Sequence, residues 1–595
     1  MPYSAVPIHQ VHLLESIFSK RKKLNRDYLF SLQSDSLLQS HYFEAMLPIP
    51  SVEKQHRGWE DPSSYIHGHF LGHWLSAAAR SSASDRDPEL KAKADAIVGE
   101  LARCQEENGG EWAGPIPEKY LHRVCETKVM ANPHYVLHKT LMGLWEMYAF
   151  GGNRQALEVL QRFANWFVRY TAKKSDDEMD RILEIETGGV LEVWANLFQE
   201  TGKEVYRTLI HKYDRRPFFD RLLRGEDPLT NVHCNTTVAE ILGAAKAYEA
   251  TGEERYRRIV ETYWDCAIRS RGTFCTGNPT SGEVYCPSGE LAPRLGISTQ
   301  EHCTVYNLTR VAEFLLNWTG KAEYADYIER CLYNGTLAQQ NPETGMPAYF
   351  LPLASGVHKV WGSRTNDFWC CHGTVVQAQA SYERYIYYTG EGELRVAQYI
   401  PSQAEVSIEG NRVQIRQYVQ TRCGGPQEMI RLDNGLNHRP REERIVIRLS
   451  VDQPTTFALT FRLPEWLAAP AEVSVNGKSY PVDSTDGWCR MMRRWSDDEV
   501  VITLPKKLRC IPLPGDCERV AFLDGPVVLG GLSERAVKLK GDRSHPEDIL
   551  FPRSERPFGC WRTEYETRGQ EESMIFKPLY EIIDETYTTY FPMDN

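Results

Sequence analysis

Two cysteines stand side by side at Cys370 and Cys371, inside Asp367-Phe-Trp-Cys-Cys-His-Gly-Thr374. Upstream, Glu301-His-Cys303 offers a carboxylate and a third thiol. Adjacent cysteines do not readily pair with each other in an ordinary disulfide, but both can face one metal ion. Three thiolates and a carboxylate supply the four ligands of a zinc site. Cys370 follows Cys303 by 67 residues, unlike the Cys-x-x-Cys pairs of a zinc knuckle, so spacing alone keeps packed core cysteines as the alternative. A bound zinc would hold a thiolate ionised at neutral pH, and a thiolate is a good nucleophile. Catalytic zinc usually keeps an open position; a ligand that is itself the nucleophile reconciles full ligation with catalysis.

A nucleophile of this kind needs an acid. Glu283 in Thr280-Ser-Gly-Glu283 and Glu290 in Ser288-Gly-Glu290 sit in glycine-flanked loops, and either fits a general acid. Each alone also fits a solvated loop glutamate. His69 and His73 in His67-Gly-His-Phe-Leu-Gly-His73 lie i, i+4 apart but lack the glutamate of His-Glu-x-x-His, which argues against a metalloprotease. His138 in Tyr135-Val-Leu-His-Lys139 and His233 in Asn231-Val-His-Cys-Asn-Thr236 start or interrupt helical runs, and each fits a structural role as well as a ligand contact. The 14 Trp and 30 Tyr supply rings that stack on sugars and equally fill helix barrels. No Gly-x-Gly-x-x-Gly follows a strand, and neither a phosphate loop nor a Gly-x-Ser-x-Gly elbow occurs.

The elements that must position these residues read in two periods. Up to about residue 392 amphipathic helices end in an aromatic or apolar residue and a glycine turn. The turns are Met147-Tyr-Ala-Phe-Gly-Gly152, Phe198-Gln-Glu-Thr-Gly202, Tyr248-Glu-Ala-Thr-Gly252, Asn317-Trp-Thr-Gly320 and Tyr388-Thr-Gly390. Val190, Val193, Trp194 and Leu197 follow i, i+3, i+4, i+7, as do Leu308, Val311, Ala312 and Leu315. Helical hairpins of unequal spacing with long inserts favour a closed (α/α)6 barrel over a solenoid of uniform units. From 393 the period becomes alternating. Val406 and Ile408 turn through Glu-Gly-Asn to Val413 and Ile415. Ile445 to Val451 and Phe457 to Leu463 alternate, and Val473 and Val475 run into Asn476-Gly477. The reading is an α+β multidomain chain: a barrel over 1–392, a β-sandwich over 393–505 and a second β-sandwich region over 506–595, irregular between 536 and 575.

With 42% apolar and 25% charged residues the 595-residue chain has the balance of a soluble globular protein. A net charge of -11 without basic runs argues against nucleic acid. No apolar stretch is long enough for a membrane span, and the N-terminus lacks the pattern of a secretory signal. With 15 cysteines and no signal, reduced thiols in a cytoplasm are expected.

Five motifs in order, Gly68-His-Phe-Leu-Gly-His-Trp-Leu-Ser-Ala77, Tyr135-Val-Leu-His-Lys139, Gly188-Gly-Val-Leu-Glu192, Glu301-His-Cys-Thr-Val-Tyr-Asn307 and Phe368-Trp-Cys-Cys-His-Gly-Thr374, resemble the β-L-arabinofuranosidase glycoside hydrolases. Phe461-Arg-Leu-Pro-Glu-Trp466, Val475-Asn-Gly477 and Asp524-Gly-Pro-Val-Val528 extend the resemblance over nearly the whole chain. It implies an (α/α)6 barrel with β-sandwiches, and zinc on Glu301, Cys303, Cys370 and Cys371. It also implies Cys370 as nucleophile and Glu283 as acid/base, with Glu290 in reserve. His233, His138 and His69, with Glu290, are the expected substrate contacts. The implied activity is retaining, exo-acting hydrolysis of terminal β-L-arabinofuranosides, or a related pentofuranoside, from plant-derived oligosaccharides by a protein for which a homodimer is allowed. The alternatives are a non-catalytic sugar-binding protein with structural zinc, and a lyase or epimerase on the same barrel.

Overall fold

A computed structural model describes residues 2–125, 132–420, 442–553 and 564–594. Twelve helices among them make a double ring. They are α1 (Ile17–Ser31), α2 (Phe70–Asp85), α3 (Pro88–Glu107), α4 (Pro133–Ala149), α5 (Arg154–Ala172), α6 (Leu191–Thr201), α7 (Glu204–Lys212), α8 (Cys234–Thr251), α9 (Glu254–Trp264), α10 (His302–Thr319), α11 (Ala322–Cys331) and α12 (Cys370–Gln379). The even-numbered helices form the inner ring, each packed on the next, and α12 closes back onto α2. The odd-numbered helices lie outside them.

Burial explains the division. Inner α2, α10 and α12 are buried on nearly every side, as helices enclosed by two layers must be. Outer α5 buries one face, with Val159, Leu160, Phe163, Trp166, Phe167 and Tyr170 among its buried residues, and turns the other to solvent. Gly202, Gly252 and Gly320 end α6, α8 and α10 with φ of 65°, 73° and 69°, each donating its N–H back to the carbonyl four residues earlier. The fifth expected turn, Tyr388-Thr-Gly390, is no helix end. Tyr387–Gly390 is a strand between Ser4–Ala5 and Glu393–Val396, as an aromatic and β-branched run favours.

Two sheets follow. One runs Ser4–Ala5, Tyr387–Gly390, Glu393–Val396, Thr455–Arg462, Trp488–Trp495 and Ser484–Thr485. The other runs Lys478–Tyr480, Glu472–Val475, Asp498–Pro505, Glu442–Val451, Asn411–Gln420, Ser402–Ile408 and Val11–Leu13. Ser402–Ile408 alternates buried and exposed positions throughout, the mark of a sheet with one covered face. A third sheet has its own core around Phe522, Phe576 and Phe591. Residues 554–563 of the stretch expected to be irregular lie outside the described residues. Buried Arg462 joins sandwich to barrel through ion pairs with Asp326 and with Glu329 of α11. The chain is thus an (α/α)6 barrel followed by antiparallel β-sandwich domains. No described helix is long and apolar enough to cross a membrane.

Candidate active site and metal centre

Two inner helices begin at the same place. Glu301 ends the strand Gln300–Glu301, which pairs with Phe350–Leu351, and is the N-cap of α10. Cys303 lies in the first turn of that helix, and Cys370 and Cys371 open α12. Free N–H groups and the helix dipole favour anions there. All four ligand atoms lie within 4.8 Å of one another. Cys303 Sγ is 3.5 Å from Cys371 Sγ, Cys370 Sγ is 3.9 Å from Cys371 Sγ, and Cys370 Sγ is 3.8 Å from Glu301 Oε1. A tetrahedral ion with Zn–S bonds of about 2.3 Å separates its sulfurs by about 3.8 Å, so the donors fit such an ion.

Electrostatics point the same way. Burial, together with charge at Cys370 and Glu283, pushes the Glu301 carboxyl well up, and burial also pushes up the Cys303 and Cys371 thiols. Hydrogen bonds from Cys303 and Cys371, joined by one from Tyr349, hold the Cys370 thiol well below its usual value against the effect of burial. Thr304 donates to Glu301 Oε2 at 3.1 Å and Thr374 to Cys303 Sγ at 3.3 Å. Four such groups, all buried, could hold a metal ion. Among the described residues no other His, Cys, Asp or Glu group forms such a cluster.

The cluster faces a cavity of about 360 Å³ inside the inner ring. Glu301, Cys303 and Cys370 line it; Cys371 does not. Glu283 reaches the same cavity from a two-residue hairpin, Gly282-Glu283, between Thr280–Ser281 and Val284–Tyr285. Both turn residues have positive φ, 59° and 68°, as a type I′ turn requires. Glycine adopts that backbone freely; a glutamate pays strain of order 1 kcal/mol. The hairpin is pinned to the start of α8 by Cys234 N–H donating to the Glu283 carbonyl at 2.8 Å and by a bridge between His233 and Val284.

That pinning brings His233 to Glu283. His233 is the N-cap of α8, and its Nδ1 accepts the Thr236 N–H at 3.1 Å. The proton therefore sits on Nε2, which donates to Glu283 Oε2 at 3.2 Å. The Tyr349 hydroxyl meets Glu283 Oε1 and lies 3.5 Å from Cys370 Sγ.

His138 and His73 line the cavity, and burial depresses both imidazoles far below their usual range. His73 Nδ1 donates to Gln377 Oε1 at 2.6 Å, which leaves Nε2 a bare acceptor. His73 Nε2, His138 Nε2 and Tyr135 Oη are all buried without a protein partner. Buried polar atoms of this kind normally have one. Lys139, pushed down to about 8 by burial, stands 4.5 Å over the Tyr135 ring.

The expected site residues thus divide. Glu301, Cys303, Cys370 and Cys371 converge, Glu283 is joined to His233, and His138 is on the cavity wall. His69 does not line the cavity; it lies behind the wall with Nδ1 2.8 Å from Glu60 Oε1. Glu290 is exposed and outside the cavity, because the Leu291 and Ala292 N–H groups both bond the Pro514 carbonyl and hold this loop on the third sheet. Tyr349, Tyr135 and His73 were not among the expected contacts. His73 alone carried a local signal, its i, i+4 spacing from His69; Tyr349 arrives through the pairing of Gln300–Glu301 with Phe350–Leu351.

The profile of the β-L-arabinofuranosidase GH127 catalytic domain matches residues 10–384, and that of the GH127 middle domain matches residues 393–506. A non-reducing end β-L-arabinofuranosidase of Bifidobacterium longum subsp. longum is 23% identical over 529 residues, covering 76% of this chain and 74% of its own. A GH127 β-arabinofuranosidase structure superposes with a TM-score of 0.77 at 18% identity, covering 100% of this chain and 98% of its own. A GH127 β-L-arabinofuranosidase from Geobacillus stearothermophilus T6 gives 0.74 at 18% identity, with 98% and 100% covered.

Proposed function

The chain belongs to the GH127 β-L-arabinofuranosidase family of glycoside hydrolases, and from that premise we propose that it removes terminal, non-reducing β-L-arabinofuranosides, or a related pentofuranoside, from plant-derived oligosaccharides. Cys370 is the nucleophile and Glu283 the acid and base. The observation that carries this reading is the shared contact at Tyr349. Cys370 Sγ and Glu283 Oε1 both lie within hydrogen-bond reach of one hydroxyl, hence no more than about 6 Å apart. Paired groups of retaining glycosidases stand roughly 5–5.5 Å apart, and those of inverting ones roughly 6.5–9.5 Å.

In the first half of the reaction the Cys370 sulfur forms a bond to the anomeric carbon. The glycosidic C–O bond breaks and the departing oxygen takes the proton of Glu283. In the second half Glu283 removes a proton from water, the water oxygen bonds the anomeric carbon, and the C–S electron pair returns to sulfur. Two inversions retain configuration. His233 orients the Glu283 carboxyl throughout. A zinc ion held by Glu301, Cys303, Cys370 and Cys371 would supply Lewis-acid stabilisation of the sulfur anion. A cavity set inside the inner ring supports action on a chain end, and the need for free thiols supports a reducing compartment; no described cysteine is in a disulfide.

The test is hydrolysis of an aryl β-L-arabinofuranoside followed by NMR. The wild-type enzyme gives product of retained configuration, and Cys370→Ala gives none while still folded at the assay temperature. Turnover by Cys370→Ala, or an inverted product, would sink the cysteine mechanism.

A further inference from the structure

The Tyr349 hydroxyl donates to Glu283 Oε1, and Cys370 Sγ, 3.5 Å from the hydroxyl oxygen, donates to it as a thiol and accepts from it as a thiolate. We propose that this hydroxyl is a switching donor that follows the negative charge as it alternates between Cys370 and Glu283, and that it governs hydrolysis of the thioglycosyl-enzyme rather than its formation. The proposal rests on the cysteine mechanism above.

The ring itself is fixed. Trp59 and Trp369 stand edge-on to it at 6.3 and 5.8 Å, and Phe350 packs at 4.6 Å. The Tyr349 carbonyl accepts the His302 N–H at 3.2 Å and Gln339 Nε2 at 3.1 Å. With ring and backbone held, the remaining freedom is rotation of the O–H bond, which is fast.

The charge, by contrast, moves with every half-reaction. At rest sulfur is the anion and Glu283 holds a proton, so the hydroxyl serves sulfur. When the C–S bond forms and the leaving oxygen takes the Glu283 proton, sulfur becomes a thioether and a poor acceptor. The charge is now on Glu283. The hydroxyl turns to Oε1 while His233 Nε2 already donates to Oε2. When water gives its proton to Glu283 and its oxygen to the anomeric carbon, the C–S pair returns to sulfur and the hydroxyl turns back. Hydrogen bonds to ions are the strong ones.

The two halves use this donor unequally. With an activated aryl leaving group, which needs no proton from Glu283, the hydroxyl only stabilises the attacking thiolate before attack and does not speed the first half. The same bond forming on the departing thiolate lowers the barrier of the second half. Removing the hydroxyl should therefore slow breakdown of the covalent intermediate far more than its formation.

The experiment is Tyr349→Phe, with pre-steady-state release of a chromophoric aglycone and intact-mass spectrometry of the quenched enzyme. Melting temperature and bound metal are measured alongside. The expected result is a kcat lower by about ten- to hundredfold, a KM lower by a similar factor, a full aglycone burst and a mass increase of one sugar on most of the enzyme. A merely structural role would lower kcat without the burst or the adduct, and that result overturns the proposal. Should Tyr349→Phe fail to fold, 3-fluorotyrosine at 349 keeps the ring; an unchanged ratio of breakdown to formation rates then overturns it. Cys370→Ala run in parallel separates the two readings. An adduct or turnover in Cys370→Ala refutes the cysteine mechanism itself, whereas an adduct confined to enzymes with Cys370 but no more abundant in Tyr349→Phe refutes only the switch.

Discussion

Glu301 and Cys370 reach one point from the N-termini of two different inner helices, α10 and α12, with Sγ 3.8 Å from Oε1. Neither helix alone carries the cluster. Each contributes a free N-terminal turn, and the ring closure between them fixes the gap that an ion would fill.

That arrangement predicts a metal-dependent fold as well as a metal-dependent reaction. Protein purified anaerobically should contain about one zinc per chain by elemental analysis. A strong chelator should lower the melting temperature by several degrees, since a ligand bound at a hundred times its Kd adds about 2.7 kcal/mol to the folded state. Cys371→Ser, which does not line the cavity, should lose metal and stability together. Retention of wild-type melting after metal removal would refute the ligand assignment.

His233 serves two contacts with two nitrogens, and these can be separated. Replacement by Ala removes the cap on α8 and the donor to Glu283. It should cost about 1 kcal/mol of stability and slow turnover by one to two orders of magnitude. His233→Asn caps well but cannot reach Glu283, so it should melt like wild type and stay slow. Equal loss of stability in both variants would show that the cap is not what Nδ1 provides.

Much of this was legible in the residues, and the misses share one cause. The glycine caps at Gly202, Gly252 and Gly320 and the hairpins at Glu409-Gly410 and Asn476-Gly477 depend on local backbone preference, which a single chain displays. Tyr388-Thr-Gly390 mimics the same turn, but a partner at Ser4–Ala5 makes it a strand. In the site, Cys370 and Cys371 announce themselves by adjacency. Glu290 looked as good as Glu283 because the contacts that separate them, to Pro514 and to Cys234, come from far along the chain. Tyr349 stays invisible for the same reason.

Glu240 on α8 gives the fold a pH dependence. Its carboxyl is buried, accepts from Thr187 and lies 3.2 Å from Arg215. Burial outweighs that partner and pushes it up to about 7; Arg215 also serves Glu184. A carboxyl whose folded pKa is raised binds its proton more tightly when folded. Its contribution is full below the unfolded value of about 4.3 and is lost as pH rises through about 7. Melting temperature should fall between about pH 4.5 and 7 and level off above, on a scale of roughly 2–4 kcal/mol, and Glu240→Gln should flatten the decline. An unchanged slope in that variant would exclude Glu240 as its source.

Strain at Glu283 predicts opposite effects on stability and activity. The residue holds φ at 68° in a turn that favours glycine or asparagine. Asparagine tolerates that backbone better and carries no charge. Glu283→Asn should therefore raise stability by about 0.5–1 kcal/mol while abolishing hydrolysis of substrates with poor leaving groups. An aryl glycoside with an acidic phenol needs no proton from the enzyme in the first half. With it the variant should still release one equivalent of phenol and then stall, because no base activates water. Calorimetry and a burst assay read the two effects separately. A variant that melts lower than wild type, or that turns over steadily on the activated substrate, would show that Glu283 is not held under strain for this task.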